Sequence, residues 1–247
     1  DSDQPVRQIQ RTFSTLPTSQ CMENLETISS DLTKTLYDLS GESYEPVSAP
    51  SPDYRSPALF DYSRGRLLLS KGYMDSSVTA FRSGLKTDSN SVLAWYGLGI
   101  AHGELMIRTE DLKMREAHQI RSENYLKKAG QLDSLYEPVY SALAKYYIFV
   151  KPEPRYLQAE YALMAAHNLY DRDYLIYYIL SYMQKMRWET FNMKTKEEVL
   201  QKAIEVNPAG FISYLALAQS YLMRSRPHDI GAQWALNNFT IAQKLRP

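Results

Sequence analysis

Few side chains in this 247-residue chain could carry acid–base or metal chemistry. Histidine, the commonest general acid or base, occurs four times, as His102, His118, His167 and His228. No two of them have the i, i+4 spacing that would place two imidazoles of one helix on a single metal ion. His102 falls where the surrounding pattern favours an aromatic side chain, so we expect a packed, hydrogen-bonded ring there. We expect His118 to lie in a polar loop.

The other reactive groups form no catalytic constellation. Glu153 with Glu160, and Glu197 with Glu205, approach helical spacing, and we expect all four to be surface charges. The chain has no Gly-x-Gly-x-x-Gly, phosphate-loop or Gly-x-Ser-x-Gly motif, which leaves nucleotide and acyl-transfer chemistry without a foothold. One cysteine, Cys21, excludes an intrachain disulfide and a multi-cysteine metal site. The sequence therefore predicts a protein that is not an enzyme and that uses no metal or cofactor.

The charge of the chain argues against a nucleic-acid partner. Lys and Arg number 28 and Asp and Glu number 28, so the formal net charge is zero. Nucleic-acid binders usually carry a basic excess, because phosphate neutralisation supplies most of the affinity. Residues 1–50 hold eight acids and three bases, which leaves about five excess positive charges on the remainder. No apolar run reaches the roughly 18 residues that a membrane span requires, so we expect none.

The elements that must position any site are repeated along the chain. The clearest unit starts at residue 92, where Trp95 is followed one helical turn later by Leu98 and Gly99 on the same face. We expect such aromatic rings to be buried wedges between helices. Similar first helices occur at residues 60–69, 139–147, 174–181 and 214–221. Each is followed by a second helix, and the units end at residues 89, 134, 171, 208 and 247.

The order of aromatic, Leu and small residue, with a downstream small residue and a terminal Pro, resembles the tetratricopeptide repeat (TPR) family over residues 57–247. The resemblance implies an all-α fold, a right-handed superhelical array of about five TPR-like helix pairs. The unit ends are 45, 37, 37 and 39 residues apart, whereas the family repeat has about 34. We expect the excess to lie in loops at 105–120, 151–154 and 225–229.

A narrower resemblance concerns the first pair. Residues 60–69, with Tyr62, Gly65 and Arg66, are followed by residues 93–99. Together they are similar to the TPR region of CadC- and ToxR-type bacterial transcription regulators and of some adenylate-cyclase-associated proteins. In those families a Tyr-x-x-Gly-Arg first helix opens the array. Their winged-helix DNA reader has no counterpart in this sequence, so the resemblance implies no direct nucleic-acid contact.

A separate helix is predicted ahead of the array. Residues 18–40 have Thr18 or Ser19 as N-cap and Gly41 just past the end. We expect this helix to cap the first repeat, because a terminal pair otherwise exposes its apolar stacking face. Its apolar stripe consists of Leu25, Ile28, Leu32, Leu36 and Leu39. The predicted organisation is an extended or disordered lead at 1–17, this capping helix with a Pro/Ser-rich connector at 18–56, and the repeat domain at 57–247.

In a right-handed array of this kind, the first helix of each pair lines the concave face. Alignment of the copies places ten side chains there, mostly aromatic, Met and Arg residues of the types that are enriched at interaction hot spots. They are Tyr62, Arg66, Tyr96, Lys145, Phe149, Arg172, Leu175, Tyr182, Gln219 and Met223.

The sequence thus predicts a non-enzymatic TPR interaction module that binds a protein or peptide partner in its concave groove, as the regulatory or sensory part of a bacterial regulator. The alternative is a periplasmic or lipid-anchored TPR scaffold that binds a small ligand or a transporter component. An enzyme with an unrecognised site is a third reading. The chain opens with Asp-Ser-Asp instead of an initiator Met, as a mature or trimmed fragment does, and we favour a periplasmic location slightly over a cytoplasmic one. The sequence does not specify the partner, the stimulus or the oligomeric state.

Overall fold

The computed structural model describes residues 56–150, 153–225 and 229–245. Within these ranges it contains eleven α-helices, one 3-10 turn and no strand, which confirms the predicted all-α array of five helix pairs. No helix in this part of the chain is both long and apolar enough to cross a bilayer. The lead predicted at 1–17 and the capping helix predicted at 18–40 lie outside the described residues.

The pairs follow one another along the chain. The first three and the fifth are α1 (Leu59–Ser70) with α2 (Met74–Thr87), α3 (Val92–Arg108) with α4 (Leu112–Leu132), α5 (Pro138–Phe149) with α6 (Tyr156–Leu169), and α10 (Phe211–Arg224) with α11 (Ile230–Leu245). The fourth consists of α7 (Tyr174–Leu180) and α9 (Lys196–Val206), separated by α8 (Lys185–Trp188) and the 3-10 turn (Glu189–Phe191). The two helices of each pair pack together, and the first helices α1, α3, α5 and α7 also touch in succession.

Side-chain caps determine where several helices begin. Ser91, Asp111 and Thr195 each accept a hydrogen bond from the amide three residues later, at 2.8 to 3.3 Å. These contacts satisfy backbone donors that have no partner inside the first turn. Helix α5 begins at Pro138, where the missing N–H costs nothing because that position has no intrahelical acceptor.

Glycines determine how closely neighbouring helices approach. Phe81 of α2 is completely buried, and its ring lies between Gly65 of α1 and Gly97 of α3. A methyl group added at either glycine would overlap that ring. Gly103 of α3 is related to the ring of Tyr146 of α5 in the same way. Successive pairs are therefore joined by rings packed directly against helix backbone.

Trp95 is not the buried wedge that its position predicts. Its side chain is only partly buried, and the indole N–H donates to the carbonyl oxygen of Ser89 at 2.9 Å. The ring contacts Tyr125 at a centroid distance of 5.7 Å. Phe81 fills the space between the first two pairs instead, because Gly65 and Gly97 have no side chain and leave room for the ring from α2.

The prediction of a loop at residues 105–120 was wrong. Helix α3 continues to Arg108 and α4 begins at Leu112, so three residues connect them. Arg115 closes this turn by donating two hydrogen bonds to the carbonyl oxygen of Thr109, at 2.9 and 2.7 Å. The polar residues that suggested a loop lie largely on the exposed sides of two long helices.

Because α3 and α4 extend through the predicted loop, two histidines meet where the helices pack together. Nδ1 of His102 lies 2.9 Å from Nδ1 of His118, and the rings are stacked. His102 is buried, which confirms the packed, hydrogen-bonded ring expected there, whereas His118 lies on α4 and not in a loop. His167 of α6 packs edge-on against Phe191. His228 lies outside the described residues.

Two of the four expected surface carboxylates, Glu160 and Glu197, are not exposed. Glu160 is buried and accepts hydrogen bonds from Arg187 and, at 2.8 Å, from Thr190. Helix α7 is short, and the chain after it forms α8 and the 3-10 turn, which bring Arg187 and Thr190 to Glu160. Glu197 is partly buried and pairs with Arg224 at 3.0 Å, whereas the other two acids are exposed as expected.

The close packing on Phe81 predicts opposite effects for two glycine substitutions. Gly97→Ala should lower the free energy of unfolding by about 1–3 kcal/mol, because the new methyl group overlaps a ring that has no room to move. Gly130→Ala should raise it by up to about 1 kcal/mol, because its Cβ would meet Val139 at an ordinary 3.5 Å and alanine favours the helix. Urea unfolding measures both, and equal effects would contradict the packing described.

The histidine pair predicts a loss of stability in acid. Burial, with His118, Arg121 and Arg82 nearby, lowers the pKa of His102 to about 4 from its ordinary 6.5. Below pH 6.5 the unfolded chain therefore binds a proton that the folded chain does not. The free energy of unfolding should fall by up to about 1.4 kcal/mol per pH unit between pH 6.5 and pH 4.

Thermal unfolding of His102→Phe between pH 4 and pH 8 tests this, since the variant should lose that part of the pH dependence. His167→Phe is the matched control and should keep it. Identical pH profiles for the wild type and His102→Phe would show that folding does not lower the pKa of His102.

Candidate functional site

The inner side of the array forms a continuous groove of about 1410 Å³. Helices α1, α3, α5 and α7 supply most of its lining, together with the segments just before α5 and α7. Ile212 in the first turn of α10 adds to it. Small-molecule pockets usually have about 300–1,000 Å³. The groove is therefore large enough for a stretch of polypeptide.

Seven of the ten side chains predicted for the concave face line this groove. They are Arg66, Tyr96, Lys145, Phe149, Arg172, Leu175 and Tyr182. Tyr62 lies beside it, packed on Phe81 at 5.9 Å beneath the guanidinium of Arg66. Gln219 and Met223 are exposed on α10 and do not line the groove, because α10 reaches it only through its first turn.

An arginine and three tyrosines form the α1 end of the groove. Arg66 is exposed and hydrogen-bonds the hydroxyls of Tyr62, at 3.4 Å, and Tyr96. Burial and the neighbouring Tyr62 raise the pKa of Tyr96, which keeps its hydroxyl protonated. Tyr96 meets Tyr136 edge to face at 5.4 Å. This end thus offers aromatic faces beside a fixed positive charge.

A polar link crosses the wall of the groove between α3 and α5. Lys145 pairs with Glu104 at 2.6 Å, and the Tyr146 hydroxyl donates to the carbonyl oxygen of Ile100 at 3.0 Å. The same hydroxyl lies 3.3 Å from Glu104. Lys145 is thereby engaged inside the protein and contributes less free charge to the groove than its sequence position suggests.

Two carboxyl groups meet between α5 and α7. The Ser141 hydroxyl contacts both Glu137 and, at 3.2 Å, Asp173, whose other oxygen caps α7 by accepting from the Leu175 amide at 3.0 Å. Burial and the nearby Asp173 raise the pKa of Glu137 to about 7, and burial also raises the pKa of Asp173. One hydroxyl proton cannot serve two carboxylates, so the pair is stabilised when it holds a proton of its own.

The groove carries an excess of positive charge as a result. Arg66, Arg108 and Arg172 are exposed along it. The carboxylates that could balance them are partly engaged, since Glu104 is paired with Lys145 and the two acids near Ser141 favour sharing a proton. The lining is otherwise aromatic and aliphatic.

Aromatic side chains also form the far end of the groove. Phe149 is 38% exposed and Tyr182 is 41% exposed, values high enough for a ligand to cover them, and their ring centroids are 6.1 Å apart. The hydroxyls of Tyr178 and Tyr182 are hydrogen-bonded at 2.8 Å. Lys196 lies over the Tyr182 ring at 5.5 Å. Rigid, half-exposed rings of this kind are typical binding anchors.

Sequence reasoning missed the acid pair. Glu137 and Asp173 each directly precede a first helix and are 36 residues apart, about one repeat. This recurrence is a signal that the aromatic pattern did not include. Ser141, one turn after Glu137, belongs to the same site.

Binding groups dominate the site. Among the described residues, no three His, Cys, Asp or Glu side chains are grouped so that they could hold a metal ion. The groove presents guanidinium groups, aromatic faces and a carboxyl pair, all of which form non-covalent contacts. The histidine pair does not line it.

Comparison with solved structures places the fold. TTC0263, a TPR protein of Thermus thermophilus, matches with a TM-score of 0.60 and 18% identity over 77% of this chain and 92% of that one. MamA matches with a TM-score of 0.45 and 20% identity over 73% and 93% of the two chains. YrrB, described as a TPR protein with an unusual peptide-binding site, matches with a TM-score of 0.42 and 16% identity over 82% and 93%.

The likeness to TTC0263 shows that the chain has the TPR fold. No protein-family model matches the sequence, and no curated protein matches it significantly.

The raised pKa of Glu137 predicts an unusual gain of stability on removing a charge. The folded chain protonates Glu137 near pH 7 and the unfolded chain near 4.5, so the advantage of the protonated form is present below pH 4.5 and is lost as the pH rises through 7. Glu137→Gln should therefore raise the free energy of unfolding at pH 8 by on the order of 2 kcal/mol, with little change at pH 5.

Glu123→Gln is the matched control with the opposite sign. Although burial alone would raise it, contacts with Lys127, Tyr147 and Arg155 hold the pKa of Glu123 below its ordinary value. The charged form of Glu123 is thus stabilising at pH 8, and its removal should lower the melting temperature. A lower melting temperature for Glu137→Gln at pH 8 would contradict the account of the acid pair.

Proposed function

We propose that this chain is a protein-interaction module that holds a segment of a partner protein in its concave groove. The observation that carries the proposal is the convergence of seven predicted side chains on a single groove of about 1410 Å³. They come from all of the first four helix pairs, so the groove is formed jointly by these four pairs. The TPR fold supports this proposal, since such solenoids use extended concave surfaces for binding.

The lining favours a partner segment that is both apolar and acidic. Phe149 and Tyr182 would anchor apolar side chains, because their exposed faces are large and lose little conformational freedom on binding. Arg66 and Arg108 would pair with carboxylates, and a guanidinium does so with two parallel hydrogen bonds. We therefore expect binding to weaken with added salt.

We further propose that the module is the regulatory or sensory part of a bacterial regulator. What supports this is the Tyr-x-x-Gly-Arg pattern of α1. In this chain Gly65 makes room for Phe81, and the adjacent Arg66 stands at the groove. The pattern thus places Gly65, which is needed for packing, directly before Arg66, which lies at the binding surface.

Selection of peptides tests the groove. Random peptides displayed on phage are selected on the wild-type chain, and their affinities are measured by fluorescence anisotropy. Arg66→Glu with Arg108→Glu should weaken the selected peptides by about tenfold or more, because like charges then face the acidic ligand. Tyr182→Ala should weaken them through loss of an aromatic anchor. Lys145 is unsuitable for such a change because it pairs with Glu104.

Arg64→Glu with Lys128→Glu is the control for this experiment. Both residues are exposed and lie outside the groove, so the net charge changes equally while the lining is kept. The control should melt near the wild-type temperature, as exposed substitutions usually do. Arg66→Glu and Tyr182→Ala each remove a hydrogen bond to a tyrosine, so these variants should melt at a lower temperature and still be folded at the temperature of the binding measurement. If the groove variant and the control bind the selected peptides equally well, the groove is not the site.

A further inference from the structure

The segment before the array is complementary in charge to the groove. Residues 18–45 contain six acids, Glu23, Glu26, Asp31, Asp38, Glu42 and Glu45, and one base, Lys34. The groove exposes Arg66, Arg108 and Arg172. Opposite charges on two parts of one chain attract each other over about a Debye length of 8–10 Å at moderate salt.

The same segment is complementary in polarity. Its predicted helix carries an apolar stripe of five aliphatic side chains at helical spacing, described above. The groove has an apolar lining in which Leu69, Ile100, Leu175 and Ile179 lie between the aromatic side chains. An amphipathic helix in a groove buries such a stripe and leaves its acidic side facing the arginines at the rim.

The dimensions also agree. A helix of residues 18–40 would be about 35 Å long. Four neighbouring first helices, at roughly 8–10 Å between axes, span about 24–30 Å. The segment joins the array at Ser56, which is fixed by a hydrogen bond to Asp88 at 2.6 Å. Residues 46–55 can bridge up to about 33 Å, whereas α1 is only about 18 Å long.

We propose that residues 18–45 of this chain dock in the groove when no partner is bound, and that a partner segment must displace them. In this proposal the helix predicted at 18–40 occupies the groove, whereas the sequence analysis expected it to cap the first repeat. Being tethered, the segment acts at an effective concentration on the order of millimolar, so modest contacts suffice to fill the groove. Its composition defines the class of partner as an acidic amphipathic segment. Only the displacement step rests on the proposed function, because docking requires no partner.

Cys21 provides the probe. As the only cysteine it takes a nitroxide spin label in the full-length chain without any substitution. Methyl groups of isoleucine and leucine are then observed by NMR, with the reduced, diamagnetic label as reference. Isoleucines in the groove are Ile100, Ile148, Ile179 and Ile212, and those exposed elsewhere include Ile120, Ile230 and Ile241.

We expect the label to reduce the signal intensity of groove isoleucines and to spare Ile120 and Ile230. Arg66→Glu with Arg108→Glu should restore the lost intensity, whereas Arg64→Glu with Lys128→Glu should not. No partner is present in this measurement. A negative result would therefore contradict docking of the segment but not peptide binding in the groove, which the peptide selection tests separately.

Three outcomes would overturn the proposal. Losses confined to α1 and α2, including the exposed Leu67, would place the segment as an end cap. Losses that appear when spin-labelled chains are mixed with isotope-labelled Cys21→Ser chains would show that a second copy supplies the segment. Unchanged intensities at the groove would show that it is empty.

Discussion

Direct packing of aromatic rings on helix backbone is the constraint on which the array depends. Gly65 and Gly97 admit Phe81, and Gly103 admits Tyr146, so three successive pairs are held at distances that no larger residue would allow. Interiors are packed closely enough that an added methyl group is felt at such contacts. The spacing of the first helices, and with it the width and lining of the groove, follows from these glycine positions.

The sequence predicted the parts of this structure that repeat. Helix pairs and concave positions such as Arg66, Tyr96 and Tyr182 follow from the period of small and aromatic residues, because every copy must bury the same face. Predictions failed where one copy differs from the others. The polar run at 105–120 was interpreted as a loop, although polar residues are equally compatible with the exposed side of a long helix, as Lys113 and Glu116 of α4 show.

Contacts between distant residues could not be predicted from spacing alone. Three such contacts join residues that are 16 to 36 positions apart: His102 with His118, Glu160 with Arg187, and Glu137 with Asp173. Each contact forms because segments that are distant in sequence are adjacent in the fold. Burial is the main cause of the shifted pKa values of His102 and Glu137, and burial depends on the complete fold. The groove therefore combines a predictable wall of aromatic side chains with acid–base behaviour that only tertiary structure defines.

The links along the inner wall have a mechanical consequence. Uncurling an array of this kind separates neighbouring first helices on the concave side, so contacts there resist extension. Between the second and third pairs the resistance includes the ion pair of Lys145 with Glu104, and between the third and fourth it includes the hydrogen bonds through Ser141. The first junction has the Phe81 ring and a hydrogen bond from Arg66 to the uncharged Tyr96 hydroxyl, and it has no ion pair among the contacts described above. The elastic compliance of the solenoid is thus unequal along its length, with ionic strength and proton concentration acting on its middle more than on its beginning.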